Sequence, residues 1–271
     1  MAKIKPFKFT GVALILLSVV AILGLLYQFG LYKSLNAPRI HDIWVINLDK
    51  DTERWQNIQS KTQQIKNKVH RFPATYGKDL TRDQAQKHGV GYMVTLSRDF
   101  DKDDKTDRIT SANVGAVGCW ISHKRLLTYL ASMPVSDSTA HLICEDDAEF
   151  PTDFLTGSSN DAWSKVAGNI PSDWDMVFLG IKKPIIGTDI APGIKKMKSS
   201  YNKGNWGAHA YLVRHGALRT KILPSMEYML NEVDVHYDMM ADQWNIYICD
   251  PPVIRYNGNL AAKSNINNMN L

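Results

Sequence analysis

Leu142-Ile143-Cys144-Glu145-Asp146-Asp147-Ala148-Glu149-Phe150 drives an apolar run straight into three adjacent carboxylates. The apolar part reads as a buried strand within the candidate 141–150. In open α/β sheets, ligands bind outside the carboxyl ends of strands, which is where this acidic cluster falls. Three neighbouring negative charges repel one another, and a divalent cation held by Glu145 and Asp147 would relieve them. The residues alone leave a second reading open, a solvated acidic turn with Asp147 capping a helix.

Outward from this segment, strand and helix signals alternate. Strand candidates are 43–48 (IWVINL), 70–75, 173–180, 207–213 and 244–250. Helical segments are expected at 51–68, 113–133 before Pro134, and 215–223. This alternation implies a three-layer α/β domain with a largely parallel central sheet over residues 41–260. The tail 261–271, rich in Asn, reads as a flexible end. Asp99–Asp107 lacks the glycine and the final glutamate of a calcium loop, and its interleaved lysines fit a solvated lid.

Charge narrows the function classes. Of the 32 basic residues, five lie in residues 1–40 with no acid among them; the other 27 balance the 27 acidic residues, and the chain nets +5. A neutral folded part has no field to attract a phosphate backbone, so no nucleic-acid partner is expected. GxGxxG, GxxxxGK[ST] and GxSxG are absent, which disfavours a dinucleotide oxidoreductase, an NTPase and an α/β-hydrolase. Cys119, Cys144 and Cys249 read as buried small hydrophobes, one disulfide with a leftover thiol being the alternative.

Residues 9–32 carry no charge, and a bilayer core needs about 20 apolar residues. Lys3, Lys5 and Lys8 precede this run, and only Lys33 and Arg39 follow closely. The expected layout is a cytosolic tail (1–8), a signal-anchor transmembrane helix (9–32) and a stem (33–40). A single-pass type II membrane protein follows, its domain in a Golgi/ER-type lumen or beyond an equivalent viral or bacterial membrane, with the lipid bilayer as partner.

In order along the chain, the segments resemble glycosyltransferase family 25, the lipooligosaccharide and collagen β-galactosyltransferases. Val45-Ile46-Asn47-Leu48-Asp49 with Arg54 is similar to the family's first-strand motif. Arg71–Gly77, Val114–His123, Ile143–Phe150, Trp174–Gly180, Ala208–Leu223 and Val233-Asp234 are similar to its later blocks, and together the matches span roughly 43–238. The resemblance implies a GT-A type fold and inverting transfer of a sugar, galactose first, from a UDP-sugar to a glycan or protein hydroxyl. It implies Mn²⁺ or Mg²⁺ on Glu145, Asp147 and Asp234, with Asn47, Leu48, Asp49, Arg54, Glu145 and Asp146 around the donor. Asp234 and His236 compete for the catalytic role. A catalytically inactive transferase-like domain that binds glycans or partners is the alternative. Gly115 and Gly118 are also explicable as packing glycines, and His123 as a helix histidine.

Overall fold

Strand β1 (Ile40–Asn47) is buried at every position from Asp42 to Asn47, because helices cover both faces of the sheet it belongs to. The computed structural model describes residues 10–28, 37–91, 114–201 and 203–258. Helix α1 (Thr10–Gln28) precedes β1. After it come α2 (Thr52–Thr62), β2 (Val69–Pro73), α3 (Arg82–Lys87), α4 (Val114–Ala131), β3 (Ala140–Glu145), β4 (Ala148–Glu149) and α5 (Ser164–Ala167). The second half holds β5 (Met176–Lys182), β6 (Gly187–Ala191), β7 (Ile194–Met197), β8 (Trp206–Arg214), helical turns α6 (residues 215–225), α7 (Val233–Met239), β9 (Ile246–Cys249) and β10 (Arg255–Tyr256).

Eight strands form one sheet in the order β2-β1-β3-β8-β5-β9-β7-β6. β8 and β7 run against their neighbours, so six strands share one direction and the sheet is mostly parallel. This mixed α/β architecture fits a Rossmann-like glycosyltransferase fold. The chain leaves β1 for β2 on one side and returns to β3 on the other, which makes the carboxyl ends of β1 and β3 the switch point of the sheet.

Alternation along the strands divides the core into two layers. Ile43, Val45, Leu142, Cys144, Val177 and Leu212 pack with Ile58 of α2 and Ala167 of α5. Trp44, Ile46, Ile143, Phe178 and Tyr211 pack with α4, α6 and α7. Glycine inside a helix costs about 1 kcal/mol, and α4 contains two, Gly115 and Gly118. Its fully buried Ile121, Leu126, Leu127 and Leu130 each contribute about 1.5–3 kcal/mol, so packing outweighs poor propensity.

The segment expected as one strand at 141–150 is broken: β3 stops at Glu145, Asp146 and Asp147 turn, and β4 pairs antiparallel with β10. Three adjacent carboxylates make a poor ladder partner, and the turn lets Asp147 O accept the Asn257 N–H at 2.8 Å. The β6–β7 hairpin extends the sheet at an edge, where lysines and exposed polar residues hide the apolar alternation of a buried strand. Cys119, Cys144 and Cys249 are all free thiols.

Side chains of α1 are described only for residues 15–25, where Ile15, Leu17 and Val20 are all exposed. Among the described residues no helix is long and apolar enough to cross a membrane. The expected span 9–32 therefore extends past the described residues. The tail 1–8, the first half of the stem 33–40, the lid expected at 99–107 and the end 261–271 lie outside them.

Candidate active site

A cavity opens at the switch point, lined by Leu48 and Asp51 from the β1–α2 connection and by Arg54 of α2. Thr75, Tyr76 and Gly77 line a second wall, Gly115, Cys119, Ser122 and His123 of α4 a third, and Glu145, Asp146 and Asp147 its floor. The two glycine-bearing motifs meet here. A Cβ on Gly118 would stand 2.6 Å from Gly77 N and 2.7 Å from Thr75 O, so only glycine allows α4 this close to the 74–77 loop. Ser122 fastens the contact, its hydroxyl donating to Gly118 O at 2.6 Å and accepting the Thr75 N–H at 2.8 Å.

The three carboxylates have different surroundings. Asp146 is buried and bound on both oxygens, by Asn47 Nδ2 at 2.7 Å and by the Arg54 guanidinium in a short ion pair. Burial raises its pKa against the opposing effect of Arg54 and Asn47. Asn47 is oriented in turn by Arg71 Nε at 2.7 Å, and Arg71 also reaches Asp49 at 2.6 Å. Asp49 itself is 79% exposed, outside the cavity.

Glu145 lies 3.3 Å from His123 Nε2 and 3.7 Å from Cys119 Sγ. Burial pushes its carboxyl up, but the hydrogen bond and charge of His123 outweigh this and hold it below its ordinary value. His123 continues inward through Nδ1 to Tyr211 OH at 2.6 Å, and Tyr211 meets Tyr237 OH at 3.3 Å. One carboxylate thus rests on a buried chain crossing α4, β8 and α7.

Asp147 is the exception. Its Oδ1 is buried without a hydrogen-bond partner, and burial with the charges of Glu145 and Asp146 raises its pKa to about 7. An orphaned carboxylate oxygen beside a second carboxylate fits a hard divalent cation such as Mn²⁺ or Mg²⁺. Cys119, His123 and Glu145 also place ligand atoms within 4.8 Å of one another. Burial, however, holds the Cys119 thiol protonated by raising its pKa well above normal. The oxygen pair Glu145–Asp147 is the better holder.

The two residues expected from α7 separate. Asp234 Oδ2 accepts the Gly207 N–H at 2.7 Å, and its charge acts on Cys119 of the cavity wall. His236 turns away, hydrogen-bonding Ser225 at 3.0 Å and packing on Trp244. Burial lowers its pKa to about 4.

Residues 40–167 match the family model described as "Glycosyltransferase family 25 (LPS biosynthesis protein)". They form a glycosyltransferase family 25 domain. Proteins called "Glycosyltransferase 25 family member" are similar in sequence. The one from Drosophila pseudoobscura pseudoobscura is 25% identical over 206 residues, 74% of this chain and 30% of that protein. Those from Aedes aegypti and Anopheles gambiae are 24% and 26% identical over 53% and 52% of this chain, each covering 22% of the relative. The chain therefore spans less than a third of the length of these relatives.

Around the cavity, sequence reading located the floor and missed part of the surroundings. Arg71 was quoted only within its block, although it fixes Asn47. Lys182 and His209 were not singled out, yet both act on the Glu145 charge. The Cys119–His123 pair carried a usable signal, since residues four apart share a helix face and both meet Glu145.

Proposed function

We propose that this family 25 domain is an inverting, metal-dependent transferase of the GT-A type. Its donor would be a UDP-sugar, galactose first, and its acceptor a glycan or protein hydroxyl. The observation that carries the reading is the unpartnered, buried Oδ1 of Asp147 beside Glu145 at the switch point. A cation held by Asp147 and Glu145 would neutralise the diphosphate as it leaves. Asp146, locked by Arg54 and Asn47, keeps the turn in place. The acceptor oxygen bonds to the anomeric carbon, the sugar–phosphate bond breaks with its electron pair going to the diphosphate, and the hydroxyl proton passes to a base. We assign that base to Asp234, which is partly exposed and whose charge acts on Cys119 of the cavity wall, and not to the Ser225-bound His236.

We further propose that residues 9–32 anchor the domain to a membrane as a type II protein. Support comes from their uncharged sequence and from the apolar residues exposed along α1, since a helix apolar all round needs lipid or protein around it.

The test is UDP release by the full chain across a panel of UDP-sugars, with Mn²⁺ or EDTA, beside Asp147→Ala. Release from one donor, abolished by EDTA and by the substitution, is the expected result. Release that persists undiminished in EDTA would overturn the metal assignment; absence of both release and UDP binding would overturn the transferase reading.

A further inference from the structure

At the opposite end of the sheet, the amino ends of β1 and β3 gather a second set of metal-ligating side chains. His41, Asp42 and His141 place one ligand atom each within 4.8 Å of one another. The Asp42 carboxylate bridges the two imidazoles, its Oδ1 3.0 Å from His141 Nδ1 and its Oδ2 3.3 Å from His41 Nδ1. His41 and Asp42 are consecutive in a strand, and consecutive strand residues ordinarily point to opposite faces. Here the β1–β3 register slips between Ile40 and Asp42, so two residues of β1 advance against one of β3. A bulge of this kind re-aims a side chain, and it brings His41 beside Asp42.

We propose that His41, Asp42 and His141 form a binding site for a divalent transition metal of the zinc class, separate from the carboxylate cavity. Two imidazoles and a carboxylate are a donor set that such ions favour. Ligands about 2.0–2.2 Å from a tetrahedral ion stand about 3.3–3.5 Å apart, the spacing of His41 Nδ1 from Asp42 Oδ2, while Asp42 Oδ1 is drawn closer to His141 Nδ1. Asp42 and His141 are buried, while the His41 side chain is 52% exposed, leaving an approach from solvent and a fourth position for water.

The surroundings of His141 match a ligating histidine. A metal on Nδ1 places the ring proton on Nε2, and His215 Nδ1 stands 3.3 Å from that nitrogen to accept it. Metal-bound histidines commonly hold their other N–H in this way. The ion would tie the first residues of β1 and β3 together at the base of the sheet.

The experiment measures Zn²⁺ affinity and stoichiometry of the detergent-solubilised full chain against a competing chelator. It is run in a Glu145→Gln background, which disables the Cys119–His123–Glu145 group. One bound Zn²⁺ per chain is expected, with a rise in thermal midpoint on binding. His41→Ala, at a half-exposed position, should weaken binding at least about tenfold while the metal-free protein still unfolds cooperatively, and His215→Gln about tenfold. Zn²⁺ binding that His41→Ala leaves intact, or no Zn²⁺ bound in the Glu145→Gln background, overturns the site.

Discussion

Arg54 of α2 reaches the Asp146 carboxylate in the turn after β3, with the two side chains 13% and 9% exposed. The protein thus neutralises the middle member of the acidic cluster with its own cation. Adjacent carboxylates acquire different roles: Asp146 is committed to structure, Glu145 rests on His123, and Asp147 keeps a buried oxygen unpaired.

Breaking that pair from one side leaves a buried charge. Arg54→Met is expected to destabilise the domain by about 3 kcal/mol, and Asp146→Asn by a similar amount. The double substitution should cost markedly less than the sum. Urea denaturation of the four proteins of the cycle gives the coupling directly; additive losses would show that the pair is not the support of the turn.

Asp147 should give metal-free stability an inverse pH dependence. Its folded pKa, raised from 3.8 to about 7, means the folded state holds a proton that the unfolded state has released between those values. Its contribution therefore falls as pH rises from about 4 through 7. At pH 8 in EDTA, Asp147→Asn is expected to be more stable than the natural chain, on the order of 2–4 kcal/mol, with the difference vanishing near pH 4. Mn²⁺ should reverse the order at pH 8, because only the natural chain offers the ionised ligand. Equal stability of the two proteins at both pH values would contradict this account.

Glu145 predicts the opposite sign. The His123 hydrogen bond lowers its pKa below the usual 4.5, so its contribution is present above pH 4.5 and lost as pH falls through the lower folded value. His123→Phe removes the partner of both Glu145 and Tyr211. It should cost about 2 kcal/mol at pH 7 and less in acid. Denaturation at pH 3 and pH 7 distinguishes this from simple loss of packing, which would be nearly independent of pH.

The sheet and its switch point were legible because β1, β3, β5, β8 and β9 carry apolar runs bounded by polar residues, whose period sequence displays. The carboxylate floor was legible for the same reason: Glu145–Asp147 interrupt such a run. Strands β6, at the sheet edge, and β7 beside it escaped because Thr188, Asp189 and the lysines of 195–196 break the apolar pattern. Helix α7 hid behind VDVHYDM, seven residues too short for a full amphipathic repeat. Tertiary partners were the larger gap. Nothing local to Arg71 tells which asparagine it orients, and nothing local to His236 tells that it faces Ser225.

That last point separates two residues which sequence alone left in competition. On one turn of α7, Asp234 and His236 project differently, the first onto the Gly207 N–H, the second onto Ser225 and Trp244. A base for the acceptor hydroxyl contributes typically 10²–10⁴-fold, so Asp234→Asn is expected to lower kcat by about 10²-fold or more. Its donor KM should change little, because the cavity walls proposed to hold the donor belong to the β1–α2 segment, the 74–77 loop, α4 and the turn after β3. His236→Gln loses a buried imidazole hydrogen-bonded to Ser225, a structural effect of about 1–2 kcal/mol, with kcat within a few-fold of normal. Steady-state kinetics with the donor identified by the UDP-release panel, together with the melting temperature of each variant, checks both. A large kcat loss in His236→Gln with unchanged melting, and none in Asp234→Asn, would exchange their roles.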